Sequence, residues 1–220
     1  MITLPDFKKA FEYENNFYLS SDKSRIGKLL AHYELYKRII NLPGAMVEFG
    51  VFKGASLMRF LFFRGLLENS GSRKIVAFDT FTCYPDVTHE LDGAHMKDFI
   101  QKAGVESISK DQFIQVLNNA GVNVNIELVE GDICQTVPKF IEDNECIKFS
   151  MVNLDTNFYL PSKVAIEHFW PRMVKGGIFI LDDYGIVPGE TKAVDEYFAD
   201  KDVKIEKCSF NTKPSFIVKN

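Results

Sequence analysis

From residue 45 to residue 218 the chain repeats one unit. A short apolar run ends near an acidic residue, a turn follows, and then a stretch with helical spacing. The runs are Ala45–Phe49, Lys74–Phe78 ending at Asp79, Ile126–Val129 ending at Glu130-Gly131-Asp132, Phe149–Leu154 ending at Asp155, and Gly177–Leu181 ending at Asp182-Asp183. Helical patterns lie at Gly54–Leu67, Val137–Glu142, Ser162–Met173 and Glu190–Phe198. Strands that alternate with helices imply a parallel sheet covered on both faces. The last two runs, Val203–Cys208 and Ser215–Val218, leave no room for a helix between them, so they predict an antiparallel hairpin at one edge. Seven strands with the last one antiparallel form a doubly wound α/β sheet of the class I methyltransferase (Rossmann-like) type. A plain dinucleotide-binding fold has six parallel strands.

Two segments depart from the alternation. Residues 1–42 supply an aromatic, aperiodic arm (1–21) and a helix over Ser24–Ile40, ended by Pro43-Gly44. Residues 80–125 interrupt the path between strands two and three, where a crossover needs only about a dozen residues. Helices are expected there at Ala94–Ala103 and Lys110–Ala120, with Ser109 as N-cap of the second. Extra length at the ligand edge of a sheet suggests a lid. The arm reads as packed on the domain, or as a cap or subunit contact. No linker divides residues 1–220, which read as a single domain.

Composition narrows the class. A net charge of −4 and the absence of a Lys/Arg-rich tract argue against nucleic acid as partner. No stretch approaches the ~20 apolar residues of a membrane span. Cys83, Cys134, Cys146 and Cys208 have neither C-x-x-C nor Cys/His metal spacing, and read as free thiols of a reducing compartment. The first residues do not resemble a secretory signal. The expected setting is cytoplasmic, with no membrane partner.

Ligands of such sheets bind beyond the carboxyl ends of the strands, and here those ends carry Glu48, Asp79, Asp132, Asp155, Asp182 and Asp183. Any one could be an ordinary helix cap or turn residue; the recurrence at one end points to a site. The first three form a cofactor group. The loop Glu48-x-Gly50-x-x-x-Gly54-x-Ser56 lacks the third glycine of G-x-G-x-x-G and places an acid where phosphates would pass. Gly50 and Gly54 let a ligand approach the backbone. Asp79 is placed for ribose hydroxyls and Asp132, after Gly131, for an adenine amino group. Adenine, ribose and an amino-acid zwitterion together describe S-adenosylmethionine. Asp155, Asp182 and Asp183 end adjacent strands of one βαβ unit and should converge as an all-oxygen set suited to Mg²⁺. A metal there would hold two neighbouring hydroxyls and acidify the one to be methylated. His89 and His95 are alternative bases in the insertion, while His32 and His168 read as structural or surface residues.

The segments Val47–Ser56, Phe78–Phe81, Gly131-Asp132, Leu154–Tyr159, Phe169–Arg172, Lys175–Gly177, Leu181–Gly185 and Ala193–Phe198 resemble the macrocin O-methyltransferase family. The resemblance implies an S-adenosylmethionine- and Mg²⁺-dependent O-methyltransferase acting on a hydroxyl of a deoxysugar or nucleotide-linked sugar. It makes Asp155, Asp182 and Asp183 the metal ligands, with Asp155 also taking the hydroxyl proton. It further implies a homo-oligomer whose N-terminal segments help cover a neighbour's site. One departure is visible: Asn157 stands where the family tends to carry a second Asp. The alternatives are an NAD-dependent nucleotide-sugar dehydrogenase or epimerase, which the loop spacing disfavours, and a non-catalytic cofactor- or metal-binding module, which the intact acidic trio disfavours.

Overall fold

The structure is a computed structural model that describes residues 1–82 and 89–220, and of residues 94–96 and 98 only the backbone. Cys83 and the side chain of His95 lie outside the described residues. The elements are α1 (Ala10–Ser20), α2 (Lys23–Lys37), β1 (Ala45–Phe49), α3 (Ala55–Leu67), β2 (Ile75–Asp79), α4 (Gly93–Ala103), α5 (Lys110–Ala120), β3 (Ile126–Glu130), α6 (Ile133–Asp143), β4 (Phe149–Leu154), α7 (Tyr159–Phe169), β5 (Met173–Leu181), α8 (Pro188–Phe198), β6 (Ile205–Lys207) and β7 (Ser215–Val218).

The seven strands form one sheet in the order β3-β2-β1-β4-β5-β7-β6. Strands β1 to β5 pair in parallel, and β7 enters between β5 and β6, antiparallel to both. This is the class I methyltransferase layout expected from the sequence. The switch point, where the path leaves β1 in opposite directions, lies between β1 and β4, and it places Gly50 beside Asp155.

The two-residue period of the strands divides the core into two layers. Val47, Phe49, Val76 and Phe78 pack on one face with Phe140, Ile166, Phe169 and Val194 from α6, α7 and α8. Met46, Ile75 and Ala77 pack on the other with Leu35, Leu57, Phe60 and Phe113 from α2, α3 and α5. Because both faces are covered, β1 is buried along its whole length, Glu48 included.

Several element ends differ from expectation for local reasons. Helix α6 begins at Ile133 rather than Val137 because the Asp132 side chain caps it, accepting from the Cys134 amide. The helix expected to reach Met173 stops at Phe169; a 3₁₀ turn, Trp170–Arg172, containing Pro171, follows. Strand β5 then starts at Met173, earlier than the glycine pair suggested. Ser109 caps α5 as expected, and the cap is a full capping box with Gln112 as its second member. Residues 1–21 are not a simple packed arm. Ile2 and Leu4 pack on the core, and Gln112 Nε2 donates to the Ile2 carbonyl at 2.7 Å. Helix α1 buries none of its residues and leaves Phe11, Tyr18 and Leu19 exposed. No helix among the described residues is long and apolar enough to cross a membrane.

Candidate active site

The loop from β1 to α3 is shaped by two glycines in the left-handed region and by one carboxylate. A Cβ on Gly50 (φ 87°) would collide with the Asp155 carbonyl oxygen, so a glycine is needed for β1 and β4 to end side by side. A Cβ on Gly54 (φ 84°) would lie 2.5 Å from the Phe113 ring. Asp79, at the end of β2, accepts from the amides of Val51 (2.7 Å) and Phe52 (3.0 Å) with one oxygen and from Phe81 (2.7 Å) with the other. Phe52 and Phe81 both have positive φ, which is costly for a bulky residue. The two charge-assisted bonds from their amides to Asp79 offset that cost.

Glu48 turns away from this loop. It shares the Met46 face of β1 and is fully buried against α3. There Ser56 Oγ donates to it at 2.7 Å, and Asn153 Nδ2, from the neighbouring strand β4, at 3.3 Å. Burial pushes its pKa up to about 8, against the hydrogen bonds from Ser56 and Asn153. Asp132 caps α6 through the Cys134 amide at 2.9 Å, and the Gly131 amide donates to the Asp79 carbonyl at 2.9 Å.

Asp155, Asp182 and Asp183 converge: one oxygen from each lies within 4.8 Å of the others. Two lysines from distant parts of the chain attend them. Lys28 Nζ, on α2, lies 2.5 Å from Asp182 Oδ2 and 3.8 Å from Asp155 Oδ2, and Lys213 Nζ lies 2.6 Å from Asp183 Oδ1. Burial, then the neighbouring Asp182 charge, holds the Asp155 carboxyl well above the usual range. Burial acts the same way on Asp182, but the Lys28 ammonium and His32 together outweigh it and hold Asp182 well below that range. His32 is buried and stacked on Phe60, with Nε2 at 3.7 Å from Asp182 Oδ1, beyond hydrogen-bond reach. Under the trio, Glu190 Oε1 accepts from the Asp183 amide at 3.0 Å. Burial raises the pKa of Glu190. Asn157 has φ 63°, a conformation Asn tolerates better than most residues, and its amide nitrogen lies 3.5 Å from Asp155 Oδ1.

A single cavity of about 710 Å³ joins both groups. Its wall includes Gly50, Ser56, Asp79 and Asp132 at one end, Asp155, Asp182 and Asp183 at the other, and Phe99, Ala103 and Ser107 from the 80–125 insertion. Asp92 ties this insertion down. It is buried and accepts from the Tyr159 amide at 3.3 Å, at the start of α7. Three expected cofactor residues, Glu48, Gly54 and Gly131, do not line the cavity. Glu48 is turned inward by the strand period, and the two glycines shape backbone around the site. His89 also lies off the cavity wall, with its ring 4.6 Å from that of Tyr159. Lys28, Lys213, Arg59, Asn153 and Glu190 were missed from sequence. Lys28 and Arg59 sit in helices, where a lone cation reads as solvent-facing. A polar residue inside the apolar run 149–154 was the one visible hint of Asn153.

The family model described as Macrocin-O-methyltransferase (TylF) matches residues 23–212. The chain belongs to the macrocin O-methyltransferase family. A relative in that setting is the demethyldecarbamoylnovobiocin O-methyltransferase of Streptomyces niveus, 25% identical over 170 residues, which are 76% of this chain and 62% of that protein. A 4'-O-methyltransferase of Streptomyces olivaceus, acting on 8-demethyl-8-(2,3-dimethoxy-alpha-L-rhamnosyl)-tetracenomycin C, is 27% identical over 151 residues, 66% of this chain and 54% of that protein. The chain thus spans less than two thirds of the length of either curated relative. Among solved structures, the calicheamicin methyltransferase CalS11 superposes with a TM-score of 0.73 at 26% identity, covering 94% of this chain and 84% of that one. The O-methyltransferase NovP shares the fold with a TM-score of 0.75 at 20% identity, covering 87% and 79%.

Proposed function

We propose that this macrocin O-methyltransferase family member is a cytoplasmic, S-adenosylmethionine-dependent, Mg²⁺-assisted O-methyltransferase whose acceptor is a hydroxyl of a deoxysugar or nucleotide-linked sugar. The observation that carries this reading is the single cavity running from the glycine loop to the three carboxylates. The curated relatives, named for methylation of novobiocin and of a rhamnosyl tetracenomycin, support the acceptor class. The donor set suits a hard cation: three carboxylates converge, and Asp182 Oδ1 is a buried acceptor with no hydrogen-bond partner. Asp155, Asp182 and Asp183 would hold the metal. Gly50, Ser56, Asp79 and Asp132 would line the cofactor, with Glu48, Gly54 and Gly131 shaping the loops behind them.

When bound, S-adenosylmethionine would supply an electrophilic methyl group, and a divalent cation held by Asp155, Asp182 and Asp183 would acidify the acceptor hydroxyl. The protein's part is positioning and proton transfer. Asp155, at the end of β4 on the cavity wall, takes the hydroxyl proton at a carboxylate oxygen. Asn157 keeps the Asp155 loop turned toward the cavity. Asp79 fixes the loop amides that the cofactor must pass. Phe52, Phe99 and Phe158 line the cavity and exclude water. Residues 1–220 act as one methyltransferase unit in this reading, with 80–125 as its lid, anchored through Asp92. The exposed aromatic face of α1 supports a homo-oligomer in which this helix meets a second copy. The free thiols Cys134, Cys146 and Cys208 suit a reducing compartment.

Calorimetry with S-adenosylmethionine and with NAD, each with and without Mg²⁺, tests the cofactor. Mass spectrometry of nucleotide-linked deoxysugars for the gain of one methyl group tests the acceptor. Binding of NAD but not of S-adenosylmethionine would end the proposal.

A further inference from the structure

Most charged groups on the cavity wall already have partners within the protein. Lys28 serves Asp182, Lys213 serves Asp183, Lys53 Nζ donates to the Ala103 carbonyl, Asp79 holds the loop amides and Asp132 caps α6. Arg59 is the exception that matters. It sits on α3 one turn past Ser56, lines the cavity, and is only partly exposed. Its guanidinium makes no hydrogen bond or ion pair with any described residue. A half-buried guanidinium has given up part of its hydration, and without a partner that loss is uncompensated. Arg25, an exposed residue of α2, also lines the cavity, makes no side-chain hydrogen bond or ion pair among the described residues, and is near enough to Arg59 to act on it electrostatically.

We propose that Arg59, supported by Arg25, is the seat of the α-carboxylate of S-adenosylmethionine. The inference rests on the cofactor reading above and adds to it the residue that recognises the amino-acid end. Its place in the cavity favours a carboxylate from a zwitterion over a phosphate from the acceptor. Arg59 projects from the helix that starts at the glycine loop, so it belongs to the cofactor end of the cavity. It lines the same cavity wall as Asp155 and Asp182, where the loop meets the trio. A diphosphate there would add its negative charges to those of the acidic trio, whereas the methionyl group is a zwitterion with no net charge. A planar guanidinium suits bidentate binding of a carboxylate.

The test compares the parent protein with Arg59→Gln and Arg59→Lys by calorimetry. The ligands are S-adenosylmethionine, decarboxylated S-adenosylmethionine and inorganic pyrophosphate. The parent should prefer S-adenosylmethionine to its decarboxylated form by roughly 10- to 100-fold. Arg59→Gln should lose that preference by weakening only the carboxylated ligand, and Arg59→Lys should restore part of it. Arg59 makes no hydrogen bond or ion pair among the described residues, so Arg59→Gln should melt like the parent; if it does not fold, Arg59→Lys carries the comparison. An undiminished preference in Arg59→Gln overturns the seat. So does a loss of pyrophosphate binding with S-adenosylmethionine binding unchanged, which would assign the anion to the acceptor. A parent that binds no S-adenosylmethionine overturns the cofactor reading itself, a different result from either.

Discussion

The two ends of the cavity handle their acids in opposite ways. At the glycine-loop end, carboxylates are satisfied by groups close in sequence or on the neighbouring strand. Asp79 takes three backbone amides, Asp132 takes the amide two residues ahead, and Glu48 takes Ser56 and Asn153. At the other end, Asp182 and Asp183 are met by Lys28 and Lys213, flexible ammoniums brought in over 154 and 30 residues. Backbone amides held by the fold cannot leave, so the first group is largely built into the scaffold. Lysine side chains can swing aside, so the second group can exchange its cations. Acids at one rim of a sheet therefore divide into those that build a site and those free to serve in it.

The sharpest break of this contrast is Asp182→Ala. It should lower Mg²⁺-dependent methyl transfer by on the order of 10³-fold, the loss of several kcal/mol of transition-state stabilisation. S-adenosylmethionine affinity should stay within a few fold of the parent. Steady-state kinetics and calorimetry check both halves, and loss of cofactor binding with the metal response retained would reverse the assignment of the two ends.

A second effect comes from Glu48, the acid buried off the cavity wall. Its folded pKa of about 8 lies above its ordinary value of 4.5. The folded chain keeps this proton where the unfolded chain has released it, so its contribution to stability is full below about pH 4.5 and lost as pH rises toward 8. The slope reaches about 1.4 kcal/mol per pH unit within that window. Glu48→Gln keeps the shape and removes the titration, so chemical denaturation across that range should show a flatter stability profile. An unchanged profile would mean that Glu48 is ionised in the folded chain.

The smallest expected effect is at Asp132. Asp132→Ala removes the cap of α6 and should cost about 1 kcal/mol of stability, read from the denaturation midpoint, with the metal response intact. A stability equal to the parent's would show that the Asp132 cap contributes nothing to α6.

Much of this was legible before the structure. The convergence of Asp155, Asp182 and Asp183 could be read because each ends a strand, and adjacent parallel strands bring their carboxyl ends together. Asn157 was noticed as a departure from the family, and the structure supplies a reason it is tolerated: the residue has a positive φ and offers an amide hydrogen toward Asp155. Glu48 was misplaced, although the period of β1 held the answer, since a residue two beyond Met46 must share its buried face.

The order of strands and helices, the glycine turn and the acidic strand ends were determined by the sequence itself. They depend on period, φ preference and capping, which act over a few residues. Only the tertiary structure decided which cations meet which acids, which loop residues face the cavity and that Arg59 stands there with no hydrogen bond or ion pair among the described residues. Those facts depend on how side chains far apart in sequence are packed and dehydrated together, and no local pattern encodes that.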